Sequence, residues 1–225
     1  MTFSVVARCS NTGMFGVAIT SSSPAVAARC SLARAGIGAV ASQNITDPSL
    51  GPKTLDAMSA GLSAADAVHQ EISNTEFNEY RQLLAVDNNG QSAIHSGDQS
   101  LGVWGQASST NVACGGNLLS HEGIPGIMVD AFAKSDGHFG ARLIETLKAG
   151  LGAGGEAGPI HSAGLKIVHT VSWPVADLRV DWSNECPIEE LENLWLLYQP
   201  QLDDYVQRAL NPTLAPSYGV PGDEG

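Results

Sequence analysis

The opening of the chain constrains its fold more than any other stretch. Residues 2–7, TFSVVA, alternate polar and apolar side chains, residues 15–20, FGVAIT, are apolar and β-branched, and Asn11-Thr12-Gly13 lies between them. Alternation, turn chemistry and a second strand-like run together predict a hairpin whose first strand begins at Thr2 itself.

The rest of the chain comes in runs of strands punctuated by pairs of helices. An apolar run at 36–42 predicts a third strand, followed by Gln43-Asn44 and a loop marked by Asp47, Pro48 and Gly51. Leu55, Met58, Leu62, Ala65, Val68 and Ile72 recur at helical spacing over 52–72, and Ser63 with Asp66 resembles a capping box just after Gly61. This predicts two helices, or one broken at that glycine. Further strands are expected at 81–87, 92–95, 102–104 and 111–115, with Asn89-Gly90 as a hairpin turn. Helices are expected at 125–134 and 139–149, then the glycine-rich stretch 150–158, strands at 162–171 and 177–181, an amphipathic helix at 187–198 and a last helix from Pro200 to Leu210. Single βαβ units do not describe this order. It fits an α+β chain in which two antiparallel sheets stack and helices cover them, a four-layer αββα sandwich. One domain is expected over 1–210, with 211–225, which carries three prolines and three glycines, as a mobile C-terminal tail.

Charge narrows the class of partner. Eleven lysines and arginines face 23 aspartates and glutamates, a net charge of −12, and the few basic residues form no patch. Nucleic acid and anionic membranes are poor partners for such a surface, which leaves small molecules. Cys9, Cys30, Cys114 and Cys186 are widely spaced and show no metal-binding or disulfide pattern, so a reducing cytoplasm is expected, without a metal or other cofactor. The N-terminus lacks the pattern of a signal peptide and no apolar run approaches a membrane span.

Thr2 is the residue with the most chemistry to offer. Removal of an initiator methionine before threonine leaves a free residue that carries a hydroxyl nucleophile and, in its own α-amino group, a base with an ordinary pKa of about 7.7 to 8.0. Many chains nevertheless begin Met-Thr without any such role. The segments TFSVVA, GMFGVAI, SSSPAVAARCSLARAGIGAVASQN, DPSLGP, EYRQLLAVDNNG, CGGNLL, HSAGLKIV and DLRVD, in that order from Thr2 to about Tyr198, resemble the bacterial and archaeal family labelled DUF1028. That family is similar in fold to the N-terminal nucleophile (Ntn) hydrolases. The resemblance implies an αββα sandwich with Thr2 in the position of the nucleophile, and it implies no substrate. It also puts Arg34 loosely where proteasome-type members carry a lysine. An arginine does not deprotonate, so its implied part is to tune the hydroxyl or bind an anion.

Other residues complete the expected site. Oxyanion donors are sought in Ser42-Gln43-Asn44, by the superfamily's layout, and in Asn117, whose preceding glycines permit close backbone approach, although a turn role suits Asn117 equally. Ser21, in the cluster 21–23, ends the second strand at the expected rim, where strand-end capping is the plainer role. Arg81 is placed to clamp a carboxylate or simply to form a surface ion pair. His161 is a pocket-lining candidate weighed against a structural role. Asp177, Arg179 and Asp181 suggest a salt-bridged edge or a subunit contact. The glycine run lacks the residues of a phosphate loop and reads as a lid or linker. The expected activity is hydrolysis of a small amide by Thr2 with Asn117 as an oxyanion donor. The alternatives are a non-catalytic metabolite-binding or interaction protein on the same fold, or a cyclic-amide hydrolase using Arg81 and His161. The run Trp195-Leu196-Leu197 raises the expectation of a covered helix face, in the same domain or in a homodimer.

Overall fold

The structure, a computed structural model, describes residues 1–221. In chain order its elements are β1 (Thr2–Arg8), β2 (Phe15–Ser21), α1 (Val26–Cys30), β3 (Ser31–Arg34), β4 (Gly38–Asn44), α2 (Leu50–Ser59), α3 (Ala64–Ser73), β5 (Arg81–Asp87), β6 (Ser92–Ser96), β7 (Gly105–Ser109) and β8 (Val112–Asn117). There follow α4 (Ile124–Lys134), α5 (Phe139–Gly152), β9 (Ser162–Val168), β10 (Ala176–Val180), α6 (Pro187–Tyr198) and α7 (Leu202–Leu210). One sheet has the order β10-β9-β2-β1-β8-β7 and the other β3-β4-β5-β6, and the neighbouring strands pair antiparallel throughout.

Strand alternation separates the layers. On β1, Phe3, Val5 and Ala7 join Met128, Leu143, Leu147 and Trp195 in the core beneath α4, α5 and α6. The opposite face of the same strand sends Val6 into a second core with Ala41, Leu84, Val86 and Ala113, between the sheets. A third core packs Val40, Leu83 and Ala85 of the smaller sheet against Leu55, Met58, Val68 and Ile72 of α2 and α3. Helix, sheet, sheet and helix are therefore the four layers, as the strand and helix pattern predicts. Where α5 crosses α6 the contact is close: a Cβ on Gly140 would stand 2.5 Å from the Trp195 ring. Trp195 is covered by its own chain in this way, whereas Leu196 and Leu197 are exposed.

Local signals explain most boundaries. Ser63 caps α3 by accepting from Asp66 N at 3.1 Å and donating to Asp66 Oδ2 at 2.7 Å, and Gly61 breaks the chain before it at φ +101°. Gly90 turns the β5–β6 hairpin at φ +78°. Differences from the expected elements fall where periodicity has too few residues to act. The one-turn helix α1 and the four-residue edge strand β3 lie before the predicted third strand, which itself runs from 38 to 44. Residues 102–104 form a loop instead of a strand: Gly102 sits at φ +60° with Leu118 against it, and pairing begins only at Gly105. The charged edge is as expected, with Asp177 on β10 bound to Arg179 at 2.8 Å and Lys166 at 3.3 Å. Of the expected tail, Pro212–Leu214 form a 3-10 turn and Arg208 donates to Pro216 O at 3.1 Å, while 222–225 lie outside the described residues. All four cysteines are free, and no helix among the described residues is long and apolar enough to cross a membrane.

Candidate active site

At one end the space between the sheets turns from apolar to polar, and Thr2 stands there. The same alternation that points Val6 into the inter-sheet core points Thr2 and Ser4 into it as well. Because β1 is central, Thr2 has a strand on each side: it pairs with Ser21 of β2 on one and Asn117 of β8 on the other. Its Oγ1 donates to the Met1 carbonyl at 2.5 Å and lies 3.2 Å from Ser21 Oγ. Ser21 Oγ also donates to the Met1 carbonyl, and it is 2.9 Å from Ser23 Oγ, which in turn accepts from Arg29 Nη2 at 2.7 Å.

Behind this hydroxyl cluster lies a buried amide network. Ser4 Oγ donates to Gln43 Oε1 at 2.7 Å, and Gln43 Nε2 donates to Gln82 Oε1 at 2.7 Å. Asn117 Nδ2 reaches the same Gln82 oxygen at 3.4 Å, while Gln82 Nε2 donates to Ser96 Oγ at 2.9 Å and to Gly116 O at 3.2 Å. Ser4, Gln43, Gln82 and Asn117 are all fully or almost fully buried. Amides without such partners would carry a desolvation cost, so the network fixes their orientation.

Backbone strain marks the two strand ends that bound the site. Asn44, after Gln43, has φ +70°, and Leu118, after Asn117, has φ +52°. The left-handed region suits asparagine and is unusual for leucine, and such outliers concentrate at functional sites. Leu118 is held there by Leu118 N donating to Leu101 O and Ala157 N donating to Leu118 O, both at 2.9 Å.

The strongest electrostatic feature is Glu156. It is buried within the glycine-rich stretch, which bridges to β8's end through Leu119 and does not hang free as a lid. Glu156 Oε2 accepts from Ser22 N at 3.2 Å, and Oε1 has no partner. Burial pushes the carboxyl up to about 8, against a smaller downward pull from the chain's α-amino group and the Ser22 hydrogen bond. His161 lies beside Ser21, to whose carbonyl its backbone N donates at 2.8 Å; its Nδ1 donates to Ser183 O at 2.7 Å, and its ring stacks on Trp182 at 4.3 Å.

The residues singled out in the sequence thus fall into three places. Thr2, Ser21, Gln43 and Asn117 come together at this end of the interior, with His161 one strand beyond Ser21 and its ring turned to Trp182 and Ser183. Asn44 and Arg81 pair at its rim, where Arg81 Nη1 donates to Ile45 O and Asn44 Oδ1 accepts from Leu101 N at 3.2 Å. Arg34 pairs with Gly38, at the opposite end of β4 from Gln43 and Asn44, and its guanidinium meets exposed Asp56 at 2.8 Å, so the structure does not bring it to Thr2. Sequence reasoning missed Glu156, Gln82 and Arg29. The signal for Glu156 was a lone acid in a run of glycine and alanine, and for Gln82 a polar residue entering an apolar strand. Among the described residues no three histidine, cysteine or carboxylate side chains converge as metal ligands would.

The model of the family of unknown function DUF1028 matches residues 2–191. The chain belongs to this family. The crystal structure of protein SPO2555 from Silicibacter pomeroyi, of DUF1028, superposes with a TM-score of 0.83 at 29% identity, covering 92% of this chain and 94% of that one. DUF1028 thus provides both the sequence match and a solved structure of the same fold. Anbu, the ancestral β-subunit from Yersinia bercovieri, aligns over 91% of this chain and 97% of its own at 10% identity and a TM-score of 0.37, a likeness too loose to bear on the site. No curated protein matches the chain.

Proposed function

We propose that this DUF1028 chain is a hydrolase of small amides, with Thr2 as nucleophile once Met1 has been removed. One observation carries the reading: the Thr2 hydroxyl heads a central strand, faces the polar end of the inter-sheet space and lies between Ser21 and Asn117. A free Thr2 amine would then sit on the Cα next to the Cβ that carries the hydroxyl, and its ordinary pKa of about 7.7 to 8.0 lets it accept a proton near neutrality.

The reaction runs in two halves. Thr2 Oγ adds to the amide carbonyl while its proton passes to the α-amine. The C–N bond breaks as that proton moves to the leaving nitrogen, giving a free amine and an ester on Thr2. Water then adds to the ester carbonyl, the C–Oγ bond breaks, and Thr2 recovers its proton, so amide and water become acid and amine. Asn117 Nδ2, held only by a long bond to Gln82, is the side-chain donor offered to the oxyanion. Ser21 and His161 line the substrate side, with Gln43 supporting Asn117 through Gln82 and Asn44 and Arg81 at the rim.

The test is intact mass and N-terminal peptide mapping of untagged protein before and after treatment with a β-lactone that acylates nucleophilic threonines. One adduct on a free Thr2 is expected, and none in Thr2→Ala, whose turnover should fall by about 10³-fold or more. A retained Met1, or a free Thr2 that stays unlabelled, would overturn the reading in favour of a non-catalytic binding protein.

A further inference from the structure

Met1 is held in the way a ligand would be. Its carbonyl oxygen accepts from the hydroxyls of both Thr2 and Ser21. Its side chain lies on Gly158, where a Cβ would stand 2.9 Å from Met1 Cε and 3.5 Å from Sδ. Any side chain at 158 would intrude on that space.

Glu156 is tied to the segments that make both contacts. It is two residues before Gly158, and its Oε2 is bound by the backbone N of Ser22, the neighbour of Ser21. The segment is fixed by the bridge to Leu119 and by Ala157 N on Leu118 O at 2.9 Å. Glu156 is only 6% exposed, and its second oxygen has no hydrogen-bond partner. A buried polar atom left open in this way is costly. A carbonyl between two hydroxyls, a buried carboxyl oxygen left open beside them and a side chain over a glycine match the parts of an α-aminoacyl group.

We propose that Met1 marks the acyl subsite of the enzyme, and that after its removal the subsite takes the acyl half of a small α-aminoacyl amide with a free amine. Thr2 and Ser21 then face the substrate carbonyl, Glu156 recognises the amine, and Gly158 leaves room for the side chain. The assignment rests on the hydrolase reading above, and its test separates the two.

Protein whose loss of Met1 is confirmed by mass is given L-methionine p-nitroanilide and its N-acetyl derivative. A site built to hydrogen-bond the amine should favour the free form by about 100-fold or more in kcat/KM. Glu156→Gln should cut turnover of the free-amine compound by about tenfold or more and narrow that preference, while Thr2 still takes the β-lactone label. Equal or better turnover of the acetylated compound, or neither compound cleaved although Thr2 is labelled, overturns the subsite and leaves the hydrolase reading standing. If Thr2 is unlabelled and nothing is cleaved, the hydrolase reading fails. Calorimetric titration of the Met1-free protein, which in that case cleaves nothing, with L-methioninamide then decides the subsite: binding of this amide and not of N-acetyl-L-methioninamide supports it, and any other result overturns it. A Met1 that stays on the chain overturns both.

Discussion

Gln82 and Asn117 meet across the gap between the two sheets, Asn117 Nδ2 lying 3.4 Å from Gln82 Oε1. They sit on β5 and β8, 35 residues apart in the chain, and the same Gln82 oxygen accepts from Gln43 at 2.7 Å. With its bond to Ser96 of β6, Gln82 therefore links β5 to three other strands across the two sheets and orients the amide that flanks Thr2.

Gln82→Leu tests that role. The leucine would fill much of the volume and leave Gln43 Nε2 and Gly116 O without their partner, each a buried group worth about 1–3 kcal/mol when unsatisfied. A loss of about 2–4 kcal/mol in urea unfolding is expected. A change below about 0.5 kcal/mol, the scale of an ordinary surface substitution, would show that the network does not hold the sheets in place.

Asn117→Ala tests the oxyanion assignment. Its amide is buried and nearly unshared, so its removal should lower kcat by about 10²- to 10³-fold, with KM moving much less. Steady-state kinetics on any amide the wild type cleaves provides the readout. A rise in KM at constant kcat would instead assign Asn117 to substrate binding.

The sequence reveals the layers better than the site. Thr2, Ser4 and Val6 share a face by strand alternation, and the pairs of helices at 50–73 and 124–152 follow from their apolar spacing and from Gly61 and Gly137 between them. These signals are local, and local signals survive in a single sequence. The site joins residues 2, 21, 43, 82, 117 and 156, which become neighbours only through strand order. No periodicity encodes that β5 crosses β8 with Gln82 opposite Asn117. Arg34 shows the same limit in reverse: its position before the third strand suggested the site, but β3 turns it toward α2 and Asp56.

Gly140→Ala should destabilise the fold without touching the site. The added Cβ would lie 2.5 Å from the Trp195 ring, which is buried and cannot swing outward, so α5 and α6 must separate. Overpacking of this kind costs about 1–3 kcal/mol. Urea unfolding checks the loss, and β-lactone labelling of Thr2 checks that the nucleophile is unaffected.

Glu156 should leave a pH signature in stability. Burial raises its carboxyl from 4.5 to about 8, so between these values the folded chain keeps a proton that the unfolded chain has released. The folded state then binds more protons, and by linkage the unfolding free energy falls as pH rises through this window, by at most about 1.4 kcal/mol per pH unit for one group. The contribution is fully present below pH 4.5 and lost above about 8. Asp47 and Asp177 are shifted downward instead, so their effects lie below the window. Glu156→Gln removes the titrating group and keeps its shape. The variant should match the wild type near pH 4.5 and become the more stable protein as pH approaches 8, a gain expected where a residue is retained for function at the expense of stability. Urea unfolding of both proteins across this range, at fixed ionic strength, measures the difference directly. A difference that does not change with pH would mean that Glu156 is ionised in both states and is matched by a partner charge.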